Sequence, residues 1–199
     1  MLHTLRSFAR LAVFVLTLVI MLALGNSCLE VPLGDSQTST VDPQLTGWWE
    51  DKEGNTITYA SAFDPHAYLI TMYGLKDDGG QKKPSFMLVT KSWLTRIADM
   101  DILTCKMVDP RWELGDEADV KKRYSFYRVK HNGNEVQYRR LNEELLAQAK
   151  TPEAMAKLIA DHAGKEDLWD SSEPEHTLSP IPDSRKDEVK KILDQLIPS

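Results

Sequence analysis

Tyr127 to Tyr138 reads YRVKHNGNEVQY. Asn-Gly between two alternating runs is the strongest short-range signal for a β-hairpin. A two-residue Asn132-Gly133 loop pairs His131 with Asn134. Counting outward, Val129 faces Val136 and Tyr127 faces Tyr138 on one side, and Lys130 faces Glu135 on the other. Apolar pairs on one face and an opposite-charge pair on the other are what a correct register requires. The neighbourhood of this hairpin is therefore antiparallel sheet.

Upstream, the same period of two recurs. Strand-like runs are expected over Leu45–Glu50, Thr56–Ser61, Ala67–Tyr73, Ser85–Ile97 and Asp101–Val108. Turns are expected at Lys52–Asn55 and in a polar loop, Asp77–Gly80, closed by Pro84. Alternation loses phase near Lys91-Ser92, which predicts a break or bulge there. Leu103, Cys105 and Met107 share one face.

Downstream of Leu141 the period changes to that of helices. Asn142 can cap a short helix over 143–149. Thr151-Pro152-Glu153 has a cap, a proline at the first position and an acid in the first turn. Met155, Leu158, Ile159 and His162 then share one helical face. Asp167–Asp183, acidic and proline-rich, reads as a loop. Arg185–Leu196 reads as a final amphipathic helix carrying Val189, Ile192, Leu193, Leu196 and Ile197 on one stripe. The expected fold is α+β: an antiparallel meander or small barrel of about seven strands, then two or three C-terminal helices.

The N-terminus carries a different kind of information. Arg6 and Arg10 precede Leu11–Leu24 (LAVFVLTLVIMLAL), which has one polar residue, Thr17. At 14 residues this run fits a secretory h-region and is short for a membrane-spanning helix, which needs about 20. Gly25-Asn26-Ser27-Cys28 follows. These residues resemble a bacterial lipoprotein signal. The resemblance implies cleavage before Cys28, lipidation of that cysteine, and an extracytoplasmic domain held at a membrane of the cell envelope. Leu29 after the cysteine implies the outer membrane in a Gram-negative host. Gly25 stands where that signal prefers leucine. The expected organisation is a signal peptide over 1–27, a lipidated cysteine and flexible tether over 28–44, and one globular domain over 45–199.

Composition narrows the function classes. The 199 residues carry 24 Lys+Arg against 30 Asp+Glu, a net charge of -6. Loss of residues 1–27 removes two arginines and no acids, which makes the rest more acidic. A phosphate-binding surface needs a basic excess, so nucleic acid is not an expected partner. Two cysteines are too few for an all-thiolate zinc site. No nucleophile-elbow, phosphate-loop or dinucleotide motif is present. No reaction, metal or cofactor is assigned.

Two candidate surfaces remain. Trp49, Trp93, Tyr127 and Tyr138 could line a ligand cavity at a barrel mouth. Lys121, Lys122, Arg123, Arg128, Lys130, Arg139 and Arg140 cluster around the hairpin of an acidic chain. Of these, Lys122, Arg123, Arg128, Arg139 and Arg140 are the candidate patch for an anionic partner. Cys105, alternating with Leu103 and Met107, is expected as an inert buried thiol. His66, His131, His162 and His176 are scattered, and Asp77, Asp78, Asp99 and Asp101 lack the spacing of a calcium loop.

Gly47-Trp48-Trp49 gives a G-x-W that resembles the opening of lipocalin-like barrels. That family places one helix before a last strand, whereas this chain is expected to end in helices. The expected function is a non-enzymatic lipoprotein that binds an apolar or amphiphilic ligand. The alternative is an envelope interaction or structural protein using the basic hairpin or the C-terminal helix.

Overall fold

A computed structural model describes residues 29, 31–108 and 124–194. Eight strands run in chain order: β1 (Gly47–Asp51), β2 (Thr56–Asp64), β3 (Ala67–Asp78), β4 (Gln81–Ile97), β5 (Met100–Val108), β6 (Tyr124–Asn132), β7 (Glu135–Arg140) and β8 (His176–Pro180). Each pairs antiparallel with the next, and β8 pairs with β1 to close a barrel. Closure removes both sheet edges.

The strand count is eight rather than about seven. The additional strand, β8, lies in the stretch expected as a loop. It is five residues long, ends at Pro180 and buries only Leu178, so it has no alternation to read. It becomes a strand because β1 and β7 each present a free edge to it, pairing Glu50 with Ser179 and Tyr138 with His176. The helices are therefore split. α1 (Glu143–Leu146) and α2 (Pro152–Asp161) lie between β7 and β8, and α3 (Asp183–Leu193) follows β8. Helix α1 is shorter than expected. Its Asn142 cap accepts from the amides of Glu144 and Leu145, and Thr151 caps α2 through Ala154 N at 3.2 Å.

The hairpin forms two residues away from the expected register. Asn132 pairs with Glu135, Val129 with Tyr138, Tyr127 with Arg140 and Arg128 with Arg139. Gly133, with φ +62°, takes the first central position of the turn, and Asn134 takes the second. A two-residue slip preserves parity, so the residues expected to share a face still do. The cross-strand partners change, and two arginines now stand directly opposite each other.

β4 is also regular where a break was expected, pairing Lys91 with Leu69 and Ser92 with Tyr68. The register shift lies instead between Gly74/Phe86 and Leu75/Pro84, where Pro84 has no N–H to offer. Alternation fails at Lys91-Ser92 because both faces are covered. Ser92 points into the barrel against Thr90, and Trp93 is buried outside it.

Two outer layers cover the barrel. α1, α2 and a 3-10 turn over Glu166–Leu168 pack on the outer face of β4–β6, around Trp93, Ile102, Phe126, Met155 and Ile159. α3 lays Val189 and Leu193 against Ile57 and Leu75 of β2 and β3. The segment expected as a flexible tether is docked. Leu29 and Leu33 are buried in the first of these layers. The Leu33 carbonyl accepts from Trp93 Nε1 at 2.8 Å and Thr104 Oγ1 at 3.0 Å. Ser39 Oγ donates to the Leu94 carbonyl, and the Tyr68 hydroxyl bonds the backbone of Asp42. Polar composition suggested a tether, but buried Trp93 and Thr104 need an acceptor, and this strand of chain supplies it.

Candidate functional site

The inner face of the barrel follows from the pairing. Trp49, Thr58, Ile70, Leu88, Leu103 and Tyr127 point inward, with Ala60, Met72, Thr90, Cys105 and Val129 on the same faces. They enclose a cavity of about 820 Å³, within the size range of small-molecule sites. At one end Leu45, carried by a 3-10 turn over Pro43–Leu45, packs with Trp49, Val129, Val136 and Leu178. At the other end, where β5 finishes and β6 begins, Leu29, Met107 and Tyr124 line the wall.

The cavity has two unlike sides. Ile70, Met72, Leu88, Leu103 and Met107 make an aliphatic and thioether wall on β3–β5. Tyr127, Tyr138 and His176 make an aromatic wall on β6–β8. Tyr127 and Tyr138 meet edge to face at 5.9 Å, and Tyr138 stacks on His176 at 5.0 Å. Burial pushes the Tyr138 phenol up to about 12, with nearby Asp51 and Glu173 adding to the effect. Burial raises Tyr127 as well. Neither hydroxyl hydrogen-bonds another described residue. Cys105 is likewise pushed up by burial, to about 11, against the opposing hydrogen bonds of Ser92 and Thr90. It is a protonated thiol at neutral pH.

Charge gathers at the mouth. Arg140, opposite Tyr127, donates from Nη1 to Glu173 Oε1 at 2.7 Å and from Nη2 to Glu143 Oε1 at 2.6 Å. Asp170 Oδ2 lies 3.9 Å from its Nε. Burial alone would lower the guanidinium pKa, but the bonds to Glu143 and Glu173 more than reverse this and hold it charged.

Of the four aromatic residues expected to line a cavity, Trp49, Tyr127 and Tyr138 do. Trp93 does not. The β4 register turns Leu88, Thr90 and Ser92 inward, so Trp93 faces out, edge to face with Tyr124 at 6.0 Å. Cys28, Lys122 and Arg123 lie outside the described residues. The remaining three residues of the candidate anionic-partner patch have partners within the chain. Arg128 bonds Glu175, Arg139 bonds Glu166, and Arg140 bonds Glu143 and Glu173. Arg128 and Arg139 also lie against the Trp169 ring, at 4.7 and 4.9 Å. His66 and His162 serve local contacts, with Ser39 O and Asp167.

Sequence reading missed Ile70, Met72 and Leu88 as lining residues. Their even-numbered alternation on β3 and β4 was the available signal. Glu143 and Glu173, 30 residues apart, carried none.

A closed, up-and-down, eight-stranded barrel around a ligand-sized cavity is a lipocalin-like architecture, as the Gly47-Trp48-Trp49 resemblance implied. Trp49, the last residue of that motif, sits inside, packed with Leu45, Val129, Val136 and Leu178. Among known proteins, no family model matches this chain, and neither a curated sequence nor a solved structure does.

Proposed function

We propose that this chain is a lipid-anchored envelope protein whose barrel binds an apolar or amphiphilic small molecule without transforming it. The cavity carries this reading: about 820 Å³, aliphatic on one side and aromatic on the other, with two tyrosine hydroxyls that hydrogen-bond no other described residue. Concave, mostly apolar sites with a few placed polar groups are where small molecules bind. The protonated Cys105 favours binding over chemistry, since a nucleophilic thiol needs a lowered pKa. Of the two surfaces of the alternative reading, the described residues are engaged within the chain: Arg128, Arg139 and Arg140 by acids, and Val189, Ile192 and Leu193 of α3 by the barrel. These contacts favour the cavity as the functional surface.

The anchor reading rests on Arg6, Arg10, the apolar run and Cys28. Cys28 is bonded to Leu29, which borders the cavity and whose carbonyl accepts from Tyr124 N at 3.1 Å. A lipid on Cys28 would therefore hold the mouth of the cavity close to the membrane, with the barrel outside the cytoplasm. In a Gram-negative host this is the outer membrane.

Native mass spectrometry of the purified protein is the test of binding. The expected result is extra mass that disappears on denaturation, or uptake of the neutral probe N-phenyl-1-naphthylamine by protein that arrives empty. An empty protein that takes up no probe refutes it. For the anchor, Cys28→Ser should move the protein from the membrane fraction to the soluble fraction. Unchanged membrane retention rules out lipid anchoring at Cys28.

A further inference from the structure

We propose that the ligand's polar group is either cationic or an uncharged hydrogen-bond donor, and that carboxylate and phosphate amphiphiles are selected against. This rests on the cavity-binding reading and names the ligand class within it. The charged residues that line the cavity among those described are Arg140, Glu143 and Glu173, with His176 stacked against Tyr138. Arg140 is the fixed cation of the set, and both of its terminal nitrogens are committed to carboxylates. Its Nε is buried, without a hydrogen bond, and Asp170 stands behind it.

An anionic headgroup entering here must take the guanidinium from Glu143 or Glu173. That leaves a half-buried carboxylate without its partner beside a second negative charge, which is strongly unfavourable. Among the described lining residues, two carboxylates already outnumber the one guanidinium.

What the mouth does offer is acceptors. Each carboxylate spends one oxygen on Arg140, leaving Glu143 Oε2 and Glu173 Oε2 without a hydrogen bond to a described residue. An ionised carboxylate accepts at both oxygens. Deeper along the same wall, the hydroxyls of Tyr127 and Tyr138 can each accept or donate. A hydroxyl or amine at the mouth can donate to these acceptors, and a quaternary ammonium meets the negative charge of Glu143 and Glu173, while the chain lies along Leu88, Met107 and Leu103.

The test is displacement of N-phenyl-1-naphthylamine by three amphiphiles of equal chain length, at a fixed pH of about 8, where a fatty carboxylate is ionised. Dodecyltrimethylammonium and dodecanol should each displace the probe at a concentration at least about tenfold below that of dodecanoate. Glu173→Gln removes one negative charge and loosens Arg140, so it should improve dodecanoate at least about threefold and weaken the ammonium. Glu143→Gln is the second variant should the first fold poorly, with the same expected direction. Dodecanoate binding as well as or better than the other two overturns the inference and leaves the cavity reading intact. So does a dodecanoate affinity unmoved in both variants. Failure of the probe and all three chains to bind overturns the cavity reading, and this inference with it.

Discussion

Replacing Trp169 tests how the segment between β7 and β8 is held to the barrel. Trp169 is 7% exposed and belongs to the outer layer over β4–β6. An indole buries about 150–250 Å², worth about 4–6 kcal/mol at 25 cal/mol per Å², and measured Trp→Ala costs are about 3–5 kcal/mol. Its ring also receives Arg128 and Arg139, at 4.7 and 4.9 Å. Their side chains are 15% and 25% exposed, so each partly desolvated cation–π contact adds about 0.5–1 kcal/mol. The two arginines face each other across β6 and β7, and like charges so placed repel. Trp169, Glu175 and Glu166 offset that repulsion.

Trp169→Ala should therefore cost about 4–6 kcal/mol, near the whole stability of a small domain. Trp169→Leu keeps much of the apolar contact and should cost about 1–3 kcal/mol, still leaving a measurable fold. Urea unfolding followed by far-UV circular dichroism measures both. The sharper readout is a double-mutant cycle pairing Trp169→Leu with Arg139→Met, which retains the aliphatic stem. A coupling of about 0.5–1 kcal/mol is expected. A coupling of zero, or a Trp169→Ala cost below about 1 kcal/mol, refutes the argument that this ring clamps the two arginines.

Gly34 has φ +68°, and a Cβ there would fall 2.0 Å from Thr95 Oγ1; Gly34→Ala should cost about 2–3 kcal/mol, lowering Tm by about 4–12 °C. An unchanged Tm in a thermal scan would mean that residues 31–44 are not docked. Burial raises Cys105 to about 11 and Tyr68 and Tyr138 to about 12. The unfolded chain gives up these protons first, so stability is whole below about pH 9 and falls as pH rises through 10 and 11. Urea midpoints that stay level up to pH 11 would contradict that burial.

Much of the fold was legible because strand faces are a local property. The Asn132-Gly133 hairpin, the shared face of Leu103, Cys105 and Met107, and the caps at Asn142 and Thr151 all depend on near neighbours. The hairpin register was missed by two residues because Asn-Gly allows more than one placement of its turn, and an even slip leaves the faces unchanged. Trp93 was misplaced for a different reason. Both faces of β4 are buried, so apolar alternation no longer separates inside from outside. The role of the arginines could not be read either, because their acids, Glu143, Glu166, Glu173 and Glu175, come from a segment that only folding brings back.

The sequence by itself determined the antiparallel meander, the helices after β7, and which side chains share a face. These follow from periods of two and 3.6 and from caps that act within a turn. Only the tertiary structure decided that the meander closes through β8, that Leu29 and residues 31–44 strap onto the barrel, and that the described residues of the mouth carry two carboxylates for one guanidinium. Each of those depends on pairing between residues tens of positions apart, where the driving force is a free strand edge, an unmet acceptor or an unmatched charge, and none of these leaves a local pattern in the chain.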